Sequence, residues 1–326
     1  MKPKLPILCL VALACSVGSA LLPVGEAAAR SSIRVGLADQ SPAMFDSPAF
    51  KELKIRRTRY FVASDVMQDP DERAKARAFV QAARRNGVLT LLHISTADLR
   101  SKRGKVVSAS QYRRNAGRIV AYFRRLGVRD FGAWNEVNHK SQETWNRVGN
   151  AVSYFKSMYS AVRRRCKTCA VVGLDLLDQR GSDRYIRSFY ARLSPTWRSR
   201  LKVVGIHNYS DVNRSRSTGT AKIIKTVRRY NSRTKFWFTE TGAIASFGGA
   251  FPYDESRQAR VMKNMFIYAN RYRKVGVQRV YPYNWFGIEN GPCGTTCRFD
   301  AGLVDPDGSP RPVHDVFKTR ISGFSR

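Results

Sequence analysis

The chain has 326 residues, 58 of them Lys or Arg against 24 Asp or Glu, for a formal charge of +34. Such an excess draws polyanions and acidic surfaces in a salt-dependent way, or simply solvates outer helices, and it does not name a reaction. No stretch beyond the first 29 residues is apolar enough to span a bilayer, and the four histidines stand at no metal-ligand spacing. The sequence therefore points to no metal, no cofactor and no membrane span.

Residues 1–29 read as a secretory signal peptide. Lys2 and Lys4 precede an apolar run over 5–17, and Ala27, Ala28 and Ala29 offer a small-residue cleavage site. The mature domain, 30–326, is then expected outside the cell, as a monomer. Removing Cys9 and Cys15 with the leader leaves Cys166, Cys169, Cys293 and Cys297. An exported chain favours disulfides over zinc for such pairs, with the connectivity left open.

The mature sequence alternates short apolar runs with amphipathic helical stretches, the pattern of a parallel sheet wrapped by helices. The runs fall at 33–37, 58–62, 88–94, 128–134, 170–174, 203–206, 235–238 and 280–285. Asp69-Pro70 with Glu72 opens one helix and Asn86-Gly87 stops it, while Ser108 and Gln111 form a capping box for the next. Over 148–165, Val152, Phe155, Met158, Tyr159 and Val162 make one apolar helical face. A closing helix follows Pro312, after a turn at Asp305-Pro306-Asp307-Gly308. Eight such units without an internal linker predict a single (β/α)8 TIM barrel. An open doubly wound sheet would carry a Gly-rich loop after its first strand, and Gly36-Leu37-Ala38-Asp39 is none.

In that barrel the C-terminal strand ends form the active face. Glu136, in Trp134-Asn135-Glu136-Val137-Asn138, follows the fourth run, and Glu240, in Thr239-Glu240-Thr241-Gly242, follows the seventh. They stand roughly 100 positions apart and would face each other across the hollow, the arrangement that glycoside hydrolysis needs. His93, Asp98, Asp39 and Asp175 also fall near strand ends, without an assigned role.

In order, spacing and strand number the two motifs resemble the clan A glycoside hydrolases. The resemblance implies Glu136 as acid/base, Glu240 as nucleophile, and Asn135 against the 2-hydroxyl of the bound sugar. It implies further that Arg59 keeps the nucleophile ionised, that His207 and Tyr209 touch nucleophile or substrate, and that Trp285 forms a sugar platform. The acid role would require a raised pKa at Glu136. The expected activity is retaining hydrolysis of a β-linked glycan; the charge points to an anionic glycan or cell-wall polymer as the carbohydrate partner, and no nucleic acid is expected. The alternatives are a non-catalytic barrel that binds acidic cell-wall or extracellular glycan, and a transglycosylase using the same two glutamates.

Overall fold

The computed structural model describes residues 1, 31–96, 106–288 and 299–326. Beyond its first residue the leader read at 1–29 lies outside them, as do Asp98, Cys293 and Cys297. The strands of the barrel are β1 (Ser31–Val35), β2 (Arg57–Ala63), β3 (Leu89–Ser95), β4 (Asp130–Gly132), β5 (Ala170–Leu177), β6 (Val203–His207), β7 (Lys235–Thr241) and β8 (Val277–Pro282). All pair in parallel, each with its neighbours in the chain. After Gly36, β1 resumes as Leu37–Ala38, and this split closes the barrel. Val35 pairs with Val280 of β8, whereas Ala38 pairs with Arg59 of β2. A short β9 (Phe324–Ser325) flanks β1 on the outside.

The helices are α1 (Pro48–Glu52), α2 (Pro70–Arg85), α3 (Ala109–Arg125), α4 (Val148–Arg165), α5 (Ser182–Ala191), α6 (Pro195–Arg200), α7 (Tyr209–Asn213), α8 (Thr218–Arg228), α9 (Glu255–Arg271) and α10 (Pro312–Ile321). Among the described residues none is long and apolar enough to cross a membrane. The predicted caps form. Asp69 accepts the N–H groups of Asp71 and Glu72, and Ser108 accepts that of Gln111. Gly87, at φ 67°, ends α2 in the left-handed conformation that a side chain would strain. A disulfide joins Cys166 to Cys169 just after α4, so one of the two cysteine pairs closes within itself. It spans too short a loop to constrain the unfolded chain much.

The main core lies between the sheet and the helices, with Phe79, Ile119, Phe155, Ile186, Ile223 and Met265 among its buried residues. A smaller apolar layer fills the barrel itself: Ala38, Leu91, Val172, Val203, Trp237 and Tyr281. At its N-terminal end Arg279 pairs with Asp130 and lies 3.7 Å from the centre of the Trp237 ring, with Arg57 3.9 Å from the same carboxylate. Polar side chains therefore occupy both ends of the barrel interior, and the apolar layer separates them.

Two expectations change. The fourth strand is only Asp130–Gly132, shorter than the apolar run, because the chain turns away before Trp134. The eighth begins at Val277 and ends at Pro282, three residues ahead of the run read at 280–285. Gln278 and Arg279 masked its start, and Arg279 is polar because it serves the ion pairs inside the barrel.

Two irregular registers set which side chains reach the upper end. Between β5 and β6, Val172 pairs with Val203 and Leu174 with Val204, so one extra residue sits in β5 and Asp175 turns inward. Between β6 and β7, Gly205 pairs with Trp237 and His207 with Glu240, so β7 carries the extra residue and Glu240 faces inward next to Thr239. Room for this layer is made by Gly205, where an added Cβ would lie 1.7 Å from Asp175 Oδ1 and 2.5 Å from Thr239 Oγ1. Gly205→Ala is therefore expected to cost about 1–3 kcal/mol by overpacking. Urea denaturation checks it, and an unchanged midpoint would contradict the layer as described.

Candidate active site

Glu136 sits just past β4 at φ 43°, a left-handed backbone uncommon outside glycine. The turn is fixed on both sides. Asn135 N–H donates to Ile94 O at 2.8 Å, Val137 N–H to Asp175 O at 3.0 Å, and His139 N–H to Glu136 O at 2.8 Å. Strain of this kind persists where surrounding structure over-determines it, which is common at functional sites. Glu240 arrives from β7, and one carboxylate oxygen of each glutamate lies within 4.8 Å of the other's.

Arg59, fully buried on β2, ties the layer together. Its Nη1 donates to Glu240 Oε1 at 2.6 Å, its Nη2 to Asn135 Oδ1 at 2.6 Å, and its Nε to His93 Nδ1 at 3.1 Å. Tyr209, opening α7, donates from its hydroxyl to Glu240 Oε2 at 3.3 Å. Burial, and then the Glu240 charge beside it, pushes the Tyr209 phenol well above its ordinary range, so it stays a donor.

His207, at the end of β6, stands between the carboxylates. Nδ1 lies 3.0 Å from Glu136 Oε1 and 3.6 Å from Glu240 Oε2, while Nε2 lies 2.9 Å from Asp175 Oδ2. Burial opposes its charge, yet Asp175, Glu240 and the bonds to Asp175 and Glu136 outweigh that, and the imidazolium pKa rises to about 10. Asp175 is opposed by burial in the same way, but the charge and hydrogen bond of His207 and the charge of Arg59 hold it well below the usual carboxylate range. His93 differs. Burial lowers it to about 3, so it remains neutral and accepts from Arg59. Thr239 donates from Oγ1 to Asp175 Oδ1 and completes the support of that carboxylate.

For Glu136 the direction is the reverse of the raised value its role was expected to require. Burial pushes the carboxyl up, but the hydrogen bond and charge of His207 pull it below its ordinary value. The cause is Asp175, which keeps His207 protonated. The layer thus holds two cations, Arg59 and His207, against three carboxylates, Glu136, Asp175 and Glu240. One proton on Glu136 would balance it.

This network predicts a pH signature. The folded pKa of His207 lies above its ordinary 6.5, so its contribution to stability is fully present below about 6.5 and is lost as pH rises through about 10. Asp175 contributes in the opposite sense, present above its ordinary 3.8 and lost as pH falls. Asp175→Asn should therefore lower the His207 pKa and flatten the alkaline loss of stability. Histidine titration by NMR reads the first and denaturation against pH the second. A titration unmoved by the substitution would contradict Asp175 as its cause.

Of the residues singled out in the sequence, Glu136, Glu240, Asn135, Arg59, His207 and Tyr209 meet here. Trp285 does not. Its ring is fully buried, edge-on to Phe50, Phe286 and His314 behind the barrel, so it cannot be a sugar platform. Two residues earlier, Tyr283 lines the cavity instead, alongside both glutamates. The offset follows from the early start of β8. Asp39, also noted at a strand end, accepts the backbone N–H groups of Trp285 and Phe286 and holds this segment in place. Glu136, His207 and Glu240 could in principle offer a metal three ligand atoms. The guanidinium on Glu240 and the imidazolium on Glu136 already supply the positive charge, and a dication would have to displace both.

No family model and no curated protein sequence matches the chain. Solved structures match it in shape. A glucosidase from Croceicoccus marinus aligns at TM-score 0.66 and 14% identity over 90% of this chain and 66% of its own. A monomeric beta-xylosidase from Caulobacter crescentus aligns at 0.60 and 15%, over 88% and 67%. A fungal beta-1,4-galactanase aligns at 0.63 and 10%, over 87% and 98%. The shared fold is a parallel (β/α)8 barrel, and these neighbours are clan A glycoside hydrolases. The chain spans just under two thirds of the glucosidase, and at these identities the likeness carries architecture alone.

Proposed function

We propose that this protein is an exported retaining glycoside hydrolase acting on a β-linked glycan. The observation that carries the reading is the approach of Glu136 and Glu240 from β4 and β7, with their nearest oxygens within 4.8 Å. Carboxyl groups about 5–5.5 Å apart suit double displacement, whereas inversion needs about 6.5–9.5 Å to admit a water. Export is supported by the leader-like residues 1–29 and by the Cys166–Cys169 disulfide.

Glu240 would attack the anomeric carbon while Glu136 gives its proton to the departing glycosidic oxygen. Water, deprotonated by Glu136, would then release the sugar from Glu240 with the original configuration. Arg59 and Tyr209 orient the attacking carboxylate through one oxygen each. His207 donates to Glu136 and can follow its change of charge through the cycle, because Asp175 stabilises the imidazolium. Asn135, whose oxygen is taken by Arg59, keeps its amide N–H groups for a sugar hydroxyl. Purified mature protein should cleave an aryl β-glycoside, and NMR of the first-formed sugar should show the β-anomer. A first-formed α-anomer would remove the double-displacement reading.

A non-catalytic glycan-binding barrel is the second reading, favoured by the +34 charge. It requires salt-sensitive retention on an anionic polymer with no reducing ends released by the wild type. Transfer to a sugar acceptor instead of water would use the same residues, and added acceptor sugars would reveal it as longer products.

A further inference from the structure

Two hollows of about 690 Å³ each open on the active face, and Tyr283 lines both. The first contains Glu136 and Glu240 and runs past Phe247, Phe251 and Phe299 to Arg180, Arg214 and Arg216. Among the described residues the second has no arginine in its lining, and its one lysine, Lys75, lies 2.7 Å from Glu72. Among the described residues, the arginines of the two hollows therefore all line the one that holds the glutamates.

All three arginines are exposed. Arg180 has no ion pair among the described residues. Arg214 is held over the Phe251 ring, 5.0 Å from its centre, which fixes the guanidinium without neutralising it. Arg216 donates to Ser210 Oγ at 2.9 Å and lies 3.7 Å from Asp211. That carboxylate already accepts the backbone N–H groups of Gly219 and Thr220. The acids of the cleft do not cancel this charge. Glu240 is taken by Arg59 and Glu136 by His207, while burial pushes the Asp178 carboxyl up to about 8 against the backbone N–H bonds from Ser210 and Asp211, so it is largely uncharged near neutrality. What remains is a set of planar donors whose forks match an oxyanion, beside aromatic faces that can pack against sugar rings.

We propose that the substrate is an anionic glycan, whose carboxylate or sulfate groups are recognised by Arg180, Arg214 and Arg216 next to the bond that Glu136 and Glu240 cleave. The proposal rests on the glycosidase reading for the cleavage, but its test is binding. Glu240→Gln protein is titrated calorimetrically with a uronic-acid polysaccharide, a sulfated polysaccharide and a neutral β-glucan. Adding Arg180→Gln, Arg214→Gln and Arg216→Gln should weaken binding of one anionic polymer at least about tenfold, since desolvated charge pairs are costly to break. Arg77→Gln, Arg113→Gln and Arg184→Gln, which remove the same charge from α2, α3 and α5, should weaken it less than about twofold, as solvated charges contribute little. The polymer that shows the difference identifies carboxylate or sulfate. Equal losses from the two sets, no binding to either anionic polymer, or preference for the neutral one would each overturn the proposal. Absence of turnover by the wild type would overturn the glycosidase reading and leave the binding result standing on its own.

Discussion

Glu240→Ala is expected to lower kcat by about 10⁴-fold or more, on every substrate and at every pH. That factor is about 5.4 kcal/mol of transition-state stabilisation, in the range found when a covalent nucleophile is removed. The variant also leaves Arg59 buried without its closest carboxylate, and breaking a buried pair typically costs about 3–5 kcal/mol. Glu240→Gln keeps one amide oxygen to accept from Arg59 Nη1 and turns its NH2 toward the Tyr209 hydroxyl, which can accept from it, so it separates chemistry from folding. Steady-state rates with thermal denaturation on the same samples check both. Activity surviving in a folded Glu240→Gln protein would exclude this residue as nucleophile.

Glu136→Ala should behave differently. General acid–base catalysis contributes about 10²–10⁴-fold, and the loss should concentrate on substrates with poor leaving groups. An activated aryl glycoside would still load Glu240, after which release becomes slow and the reaction shows a burst. Azide, small enough to enter the space left by the side chain, should restore turnover and give a β-glycosyl azide. Uniform loss across leaving groups, without rescue, would argue against the acid/base role. The positive φ adds a stability prediction. Glu136→Gly should be more stable than Glu136→Ala by about 1 kcal/mol, because glycine relieves the left-handed backbone.

The scaffold and the two glutamates could be read in the sequence because they depend on local signals. Asp69, Ser108 and Gly87 announce helix ends by their own backbone chemistry, and the apolar face of α4 repeats at helical spacing. Asn135-Glu136 and Thr239-Glu240 follow apolar strands, so their place at the rim follows from counting. What could not be read is the barrel interior, where polar residues replace the apolar alternation. Arg279 inside β8 hid the start of that strand and put Trp285 where Tyr283 stands. Asp175 was visible near a strand end but had no role, because an extra residue in β5 decides that it faces inward. Its partner His207 was expected near the nucleophile, and lies closer to Glu136. Register shifts of one residue leave no periodic trace, and the direction of the Glu136 shift depends on all of them together.

The central claim is that Glu240 forms a covalent bond to the sugar while Glu136 stands across from it. The most direct measurement is intact-mass and peptide mapping after incubation with the 2-deoxy-2-fluoro analogue of the best aryl β-glycoside. The account predicts one added glycosyl group, carried by the peptide that contains Glu240 and absent from Glu240→Gln. A label on any other residue, or cleavage of the parent glycoside with no trapped enzyme, would contradict it.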